Sequence, residues 1–190
     1  CGPGFFTIIL NQACMETVGI DGAEKMLQEA RLKAARLGLA PVFRKMDCHQ
    51  LDFADNTFDA VISRNLTHTL RDHKKVYKEW LRVLKPGGTL LIFDANWHLT
   101  ECDEKLRTES LKRREECIRL YGDAFDKKSN LKDTEEHERN VGSHVLGDRK
   151  RPDWDMGLLQ GIGYENISCE RSIIEEMWDE KEKLLYGNTP

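Results

Sequence analysis

Three aspartates close short strand-like runs: Asp21 after V-G-I, Asp47 after V-F-R-K-M and Asp94 after T-L-L-I-F. A carboxylate in such a place can accept two hydrogen bonds at once, which suits adjacent hydroxyls. Asp21 also follows Gly4 at close to the offset of about 20 residues at which an acidic side chain meets ribose hydroxyls in nucleotide-binding folds. Gly2 and Gly4 make a turn that feeds an apolar run, and a glycine turn lets backbone approach a ligand closely. Two more groups stand at strand ends, Ser63-Arg64-Asn65 with His68 shortly after, and Asp94-Ala95-Asn96 with Trp97 and His98. Open parallel sheets bind ligands at the carboxyl ends of their strands, so these positions are the candidates for chemistry. Each has a plainer reading as well. Glycines serve any tight turn, an aspartate after a strand serves as a helix N-cap, His68 can pack under its own loop, and Asp94 can bond backbone amides.

The elements that must position these residues follow from periodicity. The apolar stretch 5–11 reads as the start of a helix and 15–20 as a strand ending at Asp21. Met26, Leu27, Ala30, Ala34 and Leu37 recur at helical spacing over 23–37, with Gly38 as a stop and Pro41 as a block to extension. Strands are expected at 42–46, 60–63 and 89–93. Between the last two lies the clearest helix: Val76, Tyr77, Trp80, Leu81 and Leu84 form one stripe, and Lys74, Lys75, Lys78 and Arg82 face away. Lys85-Pro86-Gly87-Gly88 ends it. Strand and helix in alternation imply a parallel sheet covered on both faces.

After Asn96 the pattern changes. Residues 97–150 are rich in charge, with a helix expected over 104–121 and a polar stretch over 126–147 that holds His137 and His144. Pro152 starts a helix running through Leu159, beside which Trp154 packs, and 164–169 reads as a strand. The segment 97–150 is long for a connection between sheet elements, which marks a functional loop. It is expected to recognise a substrate within a single domain spanning 1–190.

Composition narrows the partners. The chain has 190 residues, 39% hydrophobic and 33% charged, and a net charge of −4, so nothing in its overall charge draws it to nucleic acid or an anionic membrane. Basic clusters at 112–114 and 149–151 are diluted by acidic neighbours and read as solvated faces. Six cysteines without a C-x-x-C pair point to reduced thiols and a cytoplasmic protein, and the adjacent Cys48-His49 has no second pair to make a metal site. No apolar run reaches the roughly 18 residues of a membrane span.

The motifs together resemble the class I S-adenosylmethionine-dependent methyltransferases, in the branch that includes the quinone-biosynthesis enzymes. C-G-P-G-F-F resembles that family's glycine-rich first motif, V-G-I-D at 18–21 its acidic second motif, D-C-H-Q-L-D-F-A-D-N-T-F-D-A-V-I-S-R at 47–64 its adenine-contacting segment and fourth strand, and W-L-R-V-L-K-P-G-G-T-L-L-I-F-D at 80–94 its closing block. The resemblance covers about residues 1–96. It implies an α/β fold, a Rossmann-like, doubly wound and mostly parallel sheet, with a helical or loop insertion after the fifth strand. It implies S-adenosyl-L-methionine as cofactor and methyl transfer to a small-molecule acceptor. The segment 97–150 shows no continuous apolar face, which suits a small soluble metabolite better than a long lipid. The resemblance implies that Gly2, Gly4, Gly22, Met26 and the Ser63, Arg64 and Asn65 segment surround the cofactor, that Asp21 binds the ribose, and that Asp47 with Cys48 binds the adenine. His68 then becomes a candidate catalytic residue, and Asp94, Asn96, Trp97 and His98 candidates for the acceptor.

The family's turn follows a central strand, so the chain is expected to be cut within its first motif and to lack its last strand too. A sheet without its central strand exposes two unpaired ladders, and the 190-residue chain is expected not to fold stably alone as a monomer. A nicotinamide-dependent oxidoreductase uses the same kind of sheet but wants G-x-G-x-x-G, where this chain has Phe5, Phe6 and Thr7 after Gly4. A non-catalytic module that binds the cofactor, or a partner protein, stays open, because methyl transfer need not use a proton-transfer residue.

Overall fold

The computed structural model describes residues 1–95, 103–122 and 149–170. The chain divides into two compact units, one ending at Asp94 and the other beginning at Ala95.

The first unit runs α1 (Phe5–Gln12), β1 (Val18–Asp21), α2 (Glu24–Arg36), β2 (Val42–Lys45), β3 (Phe58–Arg64), a 3-10 turn (Thr67–Thr69), α3 (His73–Val83) and β4 (Leu84–Phe93). β1 pairs with β2 and β3 with β4, both parallel. A parallel pair needs a crossover, and α2 and α3 supply one each. The expected single layer is thus described as two parallel pairs, because no described strand bridges β1 and β3. α1 touches both: Thr17 Oγ1 donates to the Thr7 carbonyl at 3.1 Å, and the Phe6 and Phe93 rings stack with centroids 5.1 Å apart.

Each pair has its own packing. Ile8, Leu27, Ala30, Ala34 and Phe43 cluster between the helices and the first pair. Small residues there let the backbone come close. Gly4 has φ +85°, and a Cβ on it would stand 2.9 Å from the Ala30 Cβ, so glycine is required by conformation and by space. Under the second pair the core is larger and aromatic: Val76, Tyr77, Trp80, Val83 and Leu84 are all buried. Asp72 caps α3, its carboxylate accepting from the Lys75 amide at 2.9 Å.

The strand expected at 89–93 begins earlier, at Leu84. Its register jumps from Phe58↔Leu84 to Ala60↔Thr89, so Lys85-Pro86-Gly87-Gly88 is looped out within the strand rather than placed before it. Leu84 accordingly leaves the helix stripe and joins β4.

In the second unit, α4 (Glu104–Tyr121) has the expected bounds and is capped by Asp103, which accepts from Lys105 and Leu106 amides. α5 (Asp153–Ile162) starts after Pro152 and ends at Gly163. The stretch 164–169 is not a strand, which corrects the sequence expectation. Asn166 sits at φ +53°, outside the extended region, and no described strand pairs with the segment. No described helix is long and apolar enough to cross a membrane. The expectations for Asn96, Trp97, His98, His137, His144 and most of 97–150 lie outside the described residues.

Candidate functional site

The carboxyl ends of β1 and β2 carry the two aspartates expected to grip a sugar and a base. β1 and β2 are in register Asp21↔Lys45, so Asp21 and Asp47 emerge at the tips of neighbouring strands. Asp21 accepts from the Gly2 amide at 2.7 Å and the Ala23 amide at 2.9 Å. Partial burial raises its pKa, but hydrogen bonds from the Ala23 and Gly2 amides work against that, and the carboxyl is held below the usual range. Gly2 therefore sits against Asp21 itself, with φ +53° and open space where a Cβ would stand.

Asp47 is far more open, its side chain 71% exposed. Hydrogen bonds from the amide and ring of His49 hold its pKa down. Burial, helped by the Asp47 charge, pushes the Cys48 thiol up, which disfavours the reactive thiolate. Asp47, Cys48 and His49 bring three possible metal donors within 4.8 Å of one another, with carboxylate and imidazole already bonded to each other at 2.8 Å. The Nε2 of His49 is buried without a hydrogen-bond partner, a feature that sequence reasoning passed over. Gly22 has open space at its Cα, and Met26 is partly exposed on the first turn of α2.

At the ends of β3 and β4 the arrangement is tighter. Ser63 is buried, and its hydroxyl has no hydrogen-bond partner. Arg64 lays its guanidinium 4.7 Å over the Phe5 ring, and Asn65, at φ +49°, donates its amide to the Phe93 carbonyl. Asp94 follows β4 and is turned into the structure, its side chain 2% exposed. Its Oδ2 accepts from the Leu66 amide at 3.1 Å, the Thr67 hydroxyl at 2.6 Å and the His68 amide at 3.2 Å. Its Oδ1 meets His68 Nδ1 at 2.8 Å. The plainer expectation for Asp94, that it bonds backbone amides, describes this geometry, and the carboxylate holds the turn that carries His68.

Thr67 and His73 complete this corner and were not singled out in the sequence. His73 is buried at the start of α3, its Nε2 2.7 Å from the Thr67 carbonyl. Its spacing to Val76, Tyr77 and Trp80 places it on the apolar stripe, and that was the available signal.

Residues 1–92 match the protein family described as a methyltransferase domain. This half of the chain is a methyltransferase domain. The chain is 41% identical over 76 residues to phosphatidylethanolamine N-methyltransferase from Cereibacter sphaeroides, covering 39% of this chain and 37% of that protein. It is 37% identical over 95 residues to demethylmenaquinone methyltransferase from Thermus thermophilus, covering 49% of this chain and 43% of that protein. Among solved structures, it is similar to the PH0226 protein from Pyrococcus horikoshii OT3, with a TM-score of 0.50 and 34% identity over 53% of this chain and 49% of that one. The chain spans less than half the length of these curated relatives. The methyltransferase domain coincides with the first unit, and its fold is the Rossmann-like α/β arrangement expected.

The residues at the strand tips of this methyltransferase domain fit a nucleoside-bearing cofactor. Two carboxylates are kept ionised on neighbouring strands, the Cβ positions at Gly2 and Gly22 are open, and two buried polar atoms, His49 Nε2 and Ser63 Oγ, lack a protein partner.

Proposed function

We propose that the chain takes part in methyl transfer from S-adenosylmethionine to a small-molecule acceptor. The observation that carries this reading is the pair of ionised carboxylates, Asp21 and Asp47, at neighbouring strand tips within the residues that match the methyltransferase family. Asp21 would hold the ribose hydroxyls, and Asp47 with Cys48 the adenine, while Gly2 leaves room for the amino-acid part of the cofactor beside the Ser63–Asn65 backbone. When bound, S-adenosylmethionine supplies a methyl carbon made electrophilic by the sulfonium next to it. The protein's part is to hold the acceptor at attacking distance in a water-poor pocket, a positioning effect that can contribute roughly 7–11 kcal/mol.

The two curated relatives each match less than half of the chain, yet their names give different acceptors, phosphatidylethanolamine and demethylmenaquinone. That supports assigning residues 1–92 to the donor and looking for acceptor specificity in 97–150. The charge-rich composition of that segment favours a small polar acceptor in the cytoplasm.

Replacing Asp21 with Ala removes charge-assisted hydrogen bonds of roughly 1.5–3 kcal/mol. Calorimetry should therefore show affinity for S-adenosylmethionine falling by about ten- to a hundredfold. An unchanged affinity would remove Asp21 from the site. Labelled S-adenosylmethionine incubated with a metabolite extract then tests turnover, and binding without transfer to any acceptor would mark a non-catalytic binder instead.

A further inference from the structure

Asp47 and His49 form a pair in which the exposed partner is held and the more buried partner does the holding. The Asp47 side chain is 71% exposed and the His49 side chain 23%. Both donors of His49 go to one oxygen: its amide meets Asp47 Oδ1 at 2.9 Å and its ring Nδ1 meets the same Oδ1 at 2.8 Å. Oδ2 receives no bond among the described residues. A carboxylate only accepts, so Nδ1 must carry the proton of the neutral imidazole. The other ring nitrogen agrees, because Nε2 is buried with no acceptor to receive a proton. Cys48 competes weakly for Nδ1, its Sγ standing 3.7 Å away on a thiol that burial keeps protonated. Lys75 acts on Asp47 only through space.

A carboxylate on so exposed a side chain turns about its own bonds, and a ligand that binds it must first stop that motion. Two donors on one oxygen fix the group before the ligand arrives and leave the other oxygen as the free acceptor just past β2. We propose that His49 is a positioning residue for the base of the cofactor: it pins Asp47 through Oδ1 so that Oδ2 accepts from an amino group on the base edge, and it thereby sets the preference for a 6-aminopurine over a 6-oxopurine. The inference rests on the methyl-transfer reading for the presence of an adenosine-bearing cofactor. A 6-oxopurine puts a carbonyl oxygen where the amino group stood, and two acceptors then face each other with no proton between them. A site that hydrogen-bonds an N–H rejects the analogue lacking it, because the site's own polar group is left unpaired. That rejection requires an Asp47 that cannot swing away, which is what the imidazole supplies.

Asparagine separates the bond made by the ring from the bulk of the ring. Its side-chain nitrogen is attached at Cγ, as Nδ1 is, so His49→Asn keeps a donor for Asp47 Oδ1 while losing most of the imidazole. His49→Ala loses both, and only the backbone amide still holds the carboxylate.

Long-range ¹H–¹⁵N NMR on the whole chain, with labelled histidine, needs no ligand, and the signal that disappears in His49→Asn belongs to His49. The expected result is an Nδ1–H tautomer for neutral His49. An Nε2–H tautomer overturns the proposal, whether or not any variant folds. Calorimetry then compares S-adenosylhomocysteine with S-inosylhomocysteine, its 6-oxo counterpart. His49→Ala should weaken binding of the adenosine ligand by about three- to tenfold. The inosine ligand should stay near its natural affinity, so the preference narrows by the same factor, and His49→Asn should return the adenosine ligand to within about twofold of its natural affinity. An unchanged preference in His49→Ala, or equal losses in His49→Ala and His49→Asn, overturns the proposal. A natural protein that binds neither ligand would fail the methyl-transfer reading and this inference with it, whereas an Nε2–H tautomer beside normal binding fails this inference alone.

Discussion

The two strand pairs of the first unit end in aspartates that are used in opposite ways. Asp47 lies in the open and is bonded by the amide and ring of His49, two residues on. Asp94 is closed in and reaches back across the sequence to residues 66–68. A carboxylate that has to meet a ligand must keep lone pairs available and stay hydrated until the ligand arrives. One that orients another side chain can be taken out of water, provided every bond it gives up is replaced. The cores beneath follow the same division. The first pair rests on alanines and a glycine that let the backbone approach, the second on Tyr77 and Trp80. The first end is built to grip and the second to hold one group still.

The largest effect expected from this contrast is on stability. Trp80 is 3% exposed, and its ring lies 5.6 Å from that of Tyr77. Trp80→Ala leaves a cavity that α3 cannot close and should cost about 3–5 kcal/mol in urea unfolding. A loss below about 1 kcal/mol would mean that the second pair is not the rigid half.

A middle-sized effect is expected where the two pairs join. Arg82 donates to the Leu51 carbonyl at 3.0 Å, the Phe53 carbonyl at 2.8 Å and Asp55 at 2.7 Å, and it bonds Glu79, which accepts from the Leu51 amide. This hub fixes the connection that leaves Asp47 and leads into β3. Arg82→Ala strands two carbonyls and a carboxylate and should cost about 1–3 kcal/mol. The acid side gives a second measurement. The hydrogen bond from Arg82 holds the Glu79 carboxyl below its usual range. A depressed carboxyl pKa stabilises the fold above its unfolded value of ~4.3 and loses that contribution as pH falls through the folded value. Stability should therefore decline in the natural protein below pH ~4.3, with a shallower decline in Arg82→Ala. Equal slopes would place the acid sensitivity elsewhere.

The same contrast explains what could be read before the structure was known. Strands and helices in residues 1–95 were legible because apolar spacing and the stops at Gly38 and Pro41 agree with the packing each element finds. The exposed end was legible too, since Asp21 and Asp47 are marked by position alone. The closed end was not, because its meaning lies in contacts between residues 26 to 28 positions apart. From sequence, Asp94 and His68 are two separate polar residues near strand ends, and Thr67 is one threonine among several. The looped-out Lys85–Gly88 turn was visible as a turn, but only the register with β3 shows that the strand resumes on both sides of it. The expected strand at 164–169 failed for a related reason. A short apolar alternation fixes nothing without a partner strand, and Asn166 breaks it.

The smallest effect should fall on Asp47, and it is the most exacting test of the comparison. Asp47→Ala removes a side chain that is mostly in water and is bonded to the neighbouring His49. Surface changes of this kind usually stay within about 0.5 kcal/mol. Urea unfolding should then be nearly unchanged, while calorimetry with S-adenosylmethionine shows weaker binding, because the lost acceptor matters only to the ligand. Asp94→Asn should behave in the reverse order, costing stability while leaving donor affinity near the natural value. If instead Asp47→Ala destabilised the fold by 2 kcal/mol or more, its exposure would not be that of a waiting ligand contact. The two aspartates would then be doing the same structural work, and the division between a gripping end and a holding end would fail at the residue that defines it.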